Sequence, residues 1–89
     1  MADAERSLGN FQTLWTELSA LSFEAIERAG GYATVIRFRL HNRSVRRGDV
    51  LVVLEDSVIR FHGMITSIEE GGWAVASDRR SSTIPAGVH

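Results

Sequence analysis

Arginine is the residue type with the clearest capacity for chemistry in this chain. From Arg28 to Arg47 there are six arginines and no acid, whereas from Asp49 to Asp78 there are six acids and one arginine. Guanidinium groups bind carboxylates and phosphates through paired, planar hydrogen bonds, so a concentrated arginine segment favours an anionic partner. The residues that we assign to such a partner are Arg37, Arg39, Arg43, Arg46 and Arg47.

Two other interpretations of the arginine segment stay open. The first is a solvated strand face that pairs with acids of the same chain, such as Glu69, Glu70 or the glutamates of the first third. The second is a nucleic-acid or nucleotide site, in which Tyr32, Phe38 and Trp73 would provide stacking surfaces. A pI of about 6.3 argues against nucleic acid, because domains that bind it are usually strongly basic.

Residue types that support catalysis are sparse. The chain has no cysteine, which excludes a thiol nucleophile, a disulfide and a thiolate metal site. The three histidines, His41, His62 and His89, include no closely spaced pair, so no metal site is expected. No Gly-x-Ser-x-Gly motif is present to activate a serine. We therefore expect a non-catalytic protein that uses neither a metal nor a cofactor.

The spacing of apolar residues predicts one helix over residues 7–29. These residues recur every three or four positions, which is the period of a helical face, although Phe23 lies off the stripe. Gly30-Gly31 follows as a helix stop. A helix of about 23 residues is about 34 Å long, so part of its apolar stripe should overhang a small domain and contact a second copy. The residues predicted to self-associate are Phe11, Leu14 and Trp15.

After Gly31 the apolar period changes to two, which predicts a sheet over residues 32–78. Val50 to Leu54 is apolar on both faces, as in a central strand that is covered on both sides. Gly63 predicts a bulge or a sharp bend in the strand that contains it, and the segment 69–72 predicts a hairpin turn. The residues predicted to be buried are Ile36, Phe38, Leu40, Val52, Leu54, Ile65 and Val75, together with Leu18 and Leu21 of the helix.

These elements predict an α+β fold: an N-terminal helix followed by a small, strongly curved antiparallel sheet of four to five strands. The segment 45–53 resembles the turn and strand found in many SH3-like barrels, and the helix-first order is similar to that of Sm-like RNA-binding proteins. The resemblance implies a small barrel. We assign residues 1–6 to a disordered N-terminus, 7–80 to a single domain, and 81–89 to a tail or a short closing strand.

The absence of catalytic motifs and the separation of charge predict a binding protein. The longest uncharged apolar run is far shorter than a membrane span, and the N-terminus lacks the pattern of a signal peptide. We expect a cytoplasmic, self-associating, protein-binding adaptor or inhibitor of the kind that phages and mobile elements use as regulators. Its partners would be copies of itself and another protein, without a membrane. The alternative is a small barrel that binds nucleic acid or a nucleotide through the arginine segment.

Overall fold

The computed structural model describes residues 11–42 and 44–86, and in these residues nearly all regular structure is strand. The only helical element there is a single 3-10 turn, Leu18–Ala20. The predicted α+β fold with a helix over 7–29 is therefore wrong. The strands are β1 (Thr13–Glu17), β2 (Phe23–Ala29), β3 (Tyr32–Arg39), β4 (Val50–Glu55), β5 (Val58–Glu69) and β6 (Trp73–Ser77).

The six strands form one open, mixed sheet in the order β1-β4-β5-β6-β3-β2. Strand β1 pairs with β4 in parallel, and the other neighbours are antiparallel. The predicted SH3-like or Sm-like barrel of four to five antiparallel strands is wrong on three counts, because the sheet has six strands, contains a parallel pair and is open. Residues 18–22 connect strands that lie at opposite edges of the sheet.

The helical spacing in the first third has a simple origin. Leu14 and Leu18 are four residues apart, a separation that fits one helical face and also one face of a strand. The 3-10 turn then shifts the alternation by one residue, so that Leu21, Phe23 and Ala25 continue on the same side and pack against the core. Phe23, which the helical stripe leaves out, lies opposite Phe38 in the β2–β3 pair.

Gly30-Gly31 forms a hairpin turn and does not stop a helix. Both residues have positive φ angles, 62° and 86°, and they join the paired residues Ala29 and Tyr32. Two consecutive positive φ angles in a two-residue loop are the geometry of a type I′ turn, which matches the twist of the strands on either side. Without a helix before it, a Gly-Gly pair is a hairpin signal.

The hydrophobic core lies on one face of the sheet, which we call the inner face. Of the seven strand residues predicted to be buried, four are buried and three, Leu40, Leu54 and Val75, are half-buried. Leu18 and Leu21 pack against the core, although from a 3-10 turn and the residue that follows it. The buried members of the core cluster are Ala33, Ile36, Phe38, Val45, Leu51, Val53, Phe61, Ile65, Ala74, Ala76 and Ile84.

Residues 81–86 return to the sheet and cover the start of β3. Pro85 forms an isolated antiparallel bridge with Tyr32, and the Ala33 N–H donates to the Ile84 carbonyl at 2.8 Å. Ile84 is buried within the core. The predicted disordered segment 1–6 and the last three residues, 87–89, lie outside the described residues.

Gly63 is buried on the inner face of β5, opposite Leu51. A Cβ atom at this position would overlap the carbonyl oxygen of Ser77 and lie 2.7 Å from the Phe61 ring. The Ser77 backbone cannot move away without disturbing β6. The glycine therefore permits a close approach of two strands that any side chain would separate.

We expect Gly63→Ala to lower the free energy of unfolding by about 1–3 kcal/mol, as overpacking of a close-packed interior does. Urea unfolding followed by tryptophan fluorescence measures this loss. The control is His62→Ala, on the exposed side of the same strand, which should cost less than about 1 kcal/mol. Equal losses in the two variants would contradict the close-approach explanation.

Candidate functional site

Arg37 and Arg39 project from the outer face of β3, where they surround Trp73. Arg39 lies directly opposite Trp73 in the β3–β6 pair. The two guanidinium carbons lie 4.4 Å (Arg37) and 5.3 Å (Arg39) from the Trp73 ring centroid. Each such cation–π contact is worth about 0.5–1 kcal/mol at an exposed site. Trp73 thus fixes the positions of two of the five arginines that we assigned to a partner.

Arg37 is also paired with acids of the same chain. Its Nε lies 2.7 Å from Glu69 Oε1, and a terminal nitrogen lies 3.6 Å from Glu24 Oε1. Glu24 faces Arg37 across the β2–β3 pair, and Glu69 lies opposite Trp73 in the β5–β6 pair. The internally paired strand face that we considered as an alternative therefore describes Arg37 well.

The other assigned arginines belong to the loop between β3 and β4. Arg46 donates its backbone N–H to Asp49 Oδ2 at 2.8 Å, whereas Arg47 is exposed. Arg43 lies outside the described residues. The structure brings Arg37 and Arg39 together around Trp73. Arg46 and Arg47 follow in the described part of the loop after β3, and neither makes a cation–π contact with Trp73.

The three residues predicted to self-associate are divided between two faces. Leu14 points inward and packs against the core. Trp15, the next residue of the strand, points outward and is 64% exposed. Phe11 is exposed as well. Its ring lies against Gly48, so close that a side chain at position 48 would clash with it. Adjacent residues of a strand face opposite sides, so only a helix would have placed all three together.

An apolar patch on the outer face surrounds Trp15. Val52 lies beside it on β4, opposite both Trp15 and His62, and is only 2% exposed. Met64 and Ile59 extend the patch along β5, opposite Val50 and Leu54, and each is more than half exposed. The apolar residues on both faces of Val50 to Leu54 were the sequence signal for this surface. That pattern predicted, however, that both faces of the strand would be fully covered. The outer patch consists of Trp15, Val50, Val52, Leu54, Ile59 and Met64.

A groove of about 310 Å³ runs between β1 and the end of β3. Its floor is formed by Leu14, Leu21 and Leu40, which are half-buried members of the core, together with Phe38 and Leu51. No sequence pattern indicated this groove directly, because the groove depends on the pairing of β1 with β4. The polar residues of its rim are Gln12, Thr13, Thr16, Arg39, His41 and Asn42.

Asp78 is a buried carboxylate just after β6. Burial raises its pKa, but bonds from the backbone N–H groups of His62, Ser81 and Arg80 and from the Ser81 hydroxyl lower it, and the net pKa lies below the ordinary value. The His62 N–H donates to Oδ2 at 2.9 Å and the Ser81 N–H to Oδ1 at 3.0 Å. These bonds fasten the 78–81 turn to β5, so the carboxylate has a structural role.

Two further features concern metals and membranes. No group of three histidine or acidic side chains that could hold a metal ion occurs in residues 11–42 and 44–86. Across the same residues there is no helix of the length and hydropathy that a membrane crossing requires.

Comparison with known proteins returned no match: no family model, no curated protein and no solved structure is significantly similar to this chain.

The depressed pKa of Asp78 predicts how stability depends on pH. A carboxyl whose pKa is lower in the folded state stabilises the fold above its unfolded pKa of about 3.9, and this contribution is lost as the pH falls through the folded value. Asp78→Asn should cost about 1.5–3 kcal/mol at neutral pH, because it removes hydrogen bonds to a charged group. Urea unfolding at pH 7, 5 and 3 should show a weaker acid dependence in this variant than in the wild type.

The control for this measurement is Asp56→Asn. Asp56 is exposed in the β4–β5 turn with a φ of 50°, a conformation that asparagine also accepts. It should retain the stability and the acid dependence of the wild type. If Asp78→Asn and the wild type lose stability equally between pH 5 and pH 3, the role of the Asp78 carboxylate is refuted.

Proposed function

We propose that this protein is a non-catalytic, protein-binding domain that associates with copies of itself through the outer patch, as an adaptor or an inhibitor within a larger assembly. The observation that carries the proposal is the exposure of Trp15 beside the buried Val52, at the centre of a surface that continues to Ile59 and Met64. Large apolar side chains that form a continuous patch favour a protein partner, and tryptophan is among the residues most enriched at binding hot spots.

A second copy is the simplest partner for this patch. Closed two-fold dimers are the commonest oligomers, and they use one self-complementary surface. A two-fold axis parallel to β4 would place β1 of one copy over β5 of the other. Trp15 would then face His62, and Thr13 would face Met64, because these residues occupy matching rows of the sheet. The apolar centre of each patch would be covered by the other.

The arginine segment gives weaker support to the alternative of nucleic acid or nucleotide binding. Arg37 is engaged with Glu24, Glu69 and Trp73. A phosphate would have to compete with these acids for the guanidinium group. Arg39 is also held over Trp73, whereas Arg46 and Arg47 lie in the β3–β4 loop.

Met64→Asp tests the proposed self-association. Met64 is exposed, so the fold should tolerate the change, whereas a charge in the centre of an apolar interface is costly when the interface forms. Sedimentation equilibrium over a concentration series should show the wild type associating and Met64→Asp shifted strongly towards monomer.

The matched control is Ile26→Asp, which places the same charge on an exposed apolar residue of β2, outside the patch. It should associate like the wild type. A wild type that stays monomeric throughout the series, or two variants that associate equally, would refute the outer patch as the interface.

A further inference from the structure

The groove beside β1 has the length and position of one further extended strand. Five consecutive residues line it on one side, 12–16, and five on the other, 38–42. In an extended chain, successive side chains point to opposite faces. Consecutive residues can therefore line the same groove only when the groove runs along the backbone edge of the strand. At about 3.3 Å per residue, the lined length suits an extended segment of about five residues.

Backbone groups along β1 are directed into this groove. The Val50 N–H donates to the Gln12 carbonyl at 3.0 Å, and the parallel register continues this pattern through Leu14 and Thr16. The alternate residues, Thr13 and Trp15, therefore direct their N–H and C=O groups away from β4. In the described chain, none of the backbone hydrogen bonds outside the strand ladders involves either residue. Such an edge is a template for another strand.

On the opposite side of the groove, the described backbone hydrogen bonds of β3 and the residue after it end at Leu40. The Arg39 N–H donates to the Ser22 carbonyl at 2.9 Å, while the next N–H, that of Leu40, turns the other way to the Gly72 carbonyl. The residues before Ser22 form the 3-10 turn and do not continue β2. Residues 41 and 42 therefore extend past the end of β2. An added strand would lie between this extension and β1.

The side chains around the groove define which segment it would accept. The floor consists of leucines and a phenylalanine of the inner face, which suit one large apolar side chain. Arg39 and His41 alternate with Leu40 and lie on the rim. No acid occurs among the lining residues. The groove is therefore complementary to a segment in which an apolar residue is flanked by acids, because strand side chains alternate in the same way.

We propose that this groove binds an extended peptide segment of another protein by strand addition to β1, with an apolar side chain on the floor and acidic side chains next to Arg39 and His41. The proposal rests on the protein-binding function above, and the groove shares Trp15 with the outer patch but none of its other residues. The unpaired edge of β1 favours a peptide over a small amphiphilic carboxylate, which would use the floor and the rim but not the edge. Main-chain hydrogen bonds would provide affinity, and the alternating pockets would provide specificity.

The experiment uses a fluorescein-labelled peptide with the central sequence Glu-Phe-Glu between two threonines, titrated with the full-length protein and followed by anisotropy. We expect saturable binding. Replacing the phenylalanine by alanine, or both glutamates by lysine, should weaken binding at least about tenfold, which corresponds to about 1.4 kcal/mol. A peptide that is N-methylated at a residue whose N–H faces β1 should bind as weakly, because the methyl group removes a main-chain donor and leaves the side chains unchanged.

Two protein variants locate the site. Arg39→Glu should weaken binding of the peptide about tenfold or more, since it reverses the charge on the rim. Arg47→Glu makes the same change on an exposed arginine that does not line the groove, and it should bind like the wild type. Circular dichroism confirms that both variants are folded. Met64→Asp, which disrupts the outer patch, should also bind the peptide normally, so a failure of self-association and a failure of the groove are distinguishable.

Several outcomes would overturn the proposal. Equal binding of the N-methylated and parent peptides, or equal competition by octanoate, would assign the groove to an amphiphilic small molecule. Loss of self-association in Arg39→Glu, which lies in the groove and outside the outer patch, would assign the groove to a second copy of the chain. Loss of binding in Arg47→Glu to the same extent as in Arg39→Glu would place the peptide elsewhere, and the absence of any binding would refute the site.

Discussion

The buried carboxylate of Asp49 is the interaction on which the rest of the sheet depends. It is fully buried, and it accepts hydrogen bonds from the Gln12 N–H at 3.1 Å, from the Gln12 side chain at 3.2 Å and from the Arg46 N–H at 2.8 Å. Its own carbonyl accepts from the Ile65 N–H at 2.8 Å. A buried carboxylate is tolerated only when such bonds replace its hydration. One residue therefore joins the start of β1, the β3–β4 loop and β5.

Both proposed binding surfaces follow from the position of β1. Its docking beside β4 places Trp15 next to Val52 and creates the outer patch. The same docking leaves the far edge of β1 unpaired in the described chain and opens the groove towards the end of β3. An edge strand is a hazard when it is exposed, because it pairs readily with other chains. The short length of β1, five residues, limits this hazard and also limits the length of any added strand.

The β-structure of the second part of the chain could be predicted, whereas that of the first third could not. The alternation around Phe38 and the hairpin at Gly71-Gly72 each carry local information that tertiary structure did not override. Gly63, which we expected to mark a bulge or a bend, is regularly paired with Leu51, and the register shifts of β5 lie on either side of it. Leu14, Leu18, Leu21 and Ala25 satisfy two periods at once, and only the inward position of Phe23 distinguishes them. The groove depends on a parallel pairing between β1 and β4, which are more than thirty residues apart. No local pattern contains that information.

The most direct test of this account is amide hydrogen exchange in residues 13–17, measured by NMR. If β1 is an edge strand bonded to β4 on one side, the Leu14 and Thr16 amides should exchange slowly and the Thr13 and Trp15 amides quickly. This alternation distinguishes an edge strand from other structures. Uniformly slow exchange across residues 11–25 would indicate a helix or a fully paired strand, and uniformly fast exchange would show that β1 is not docked. Either result would contradict the account.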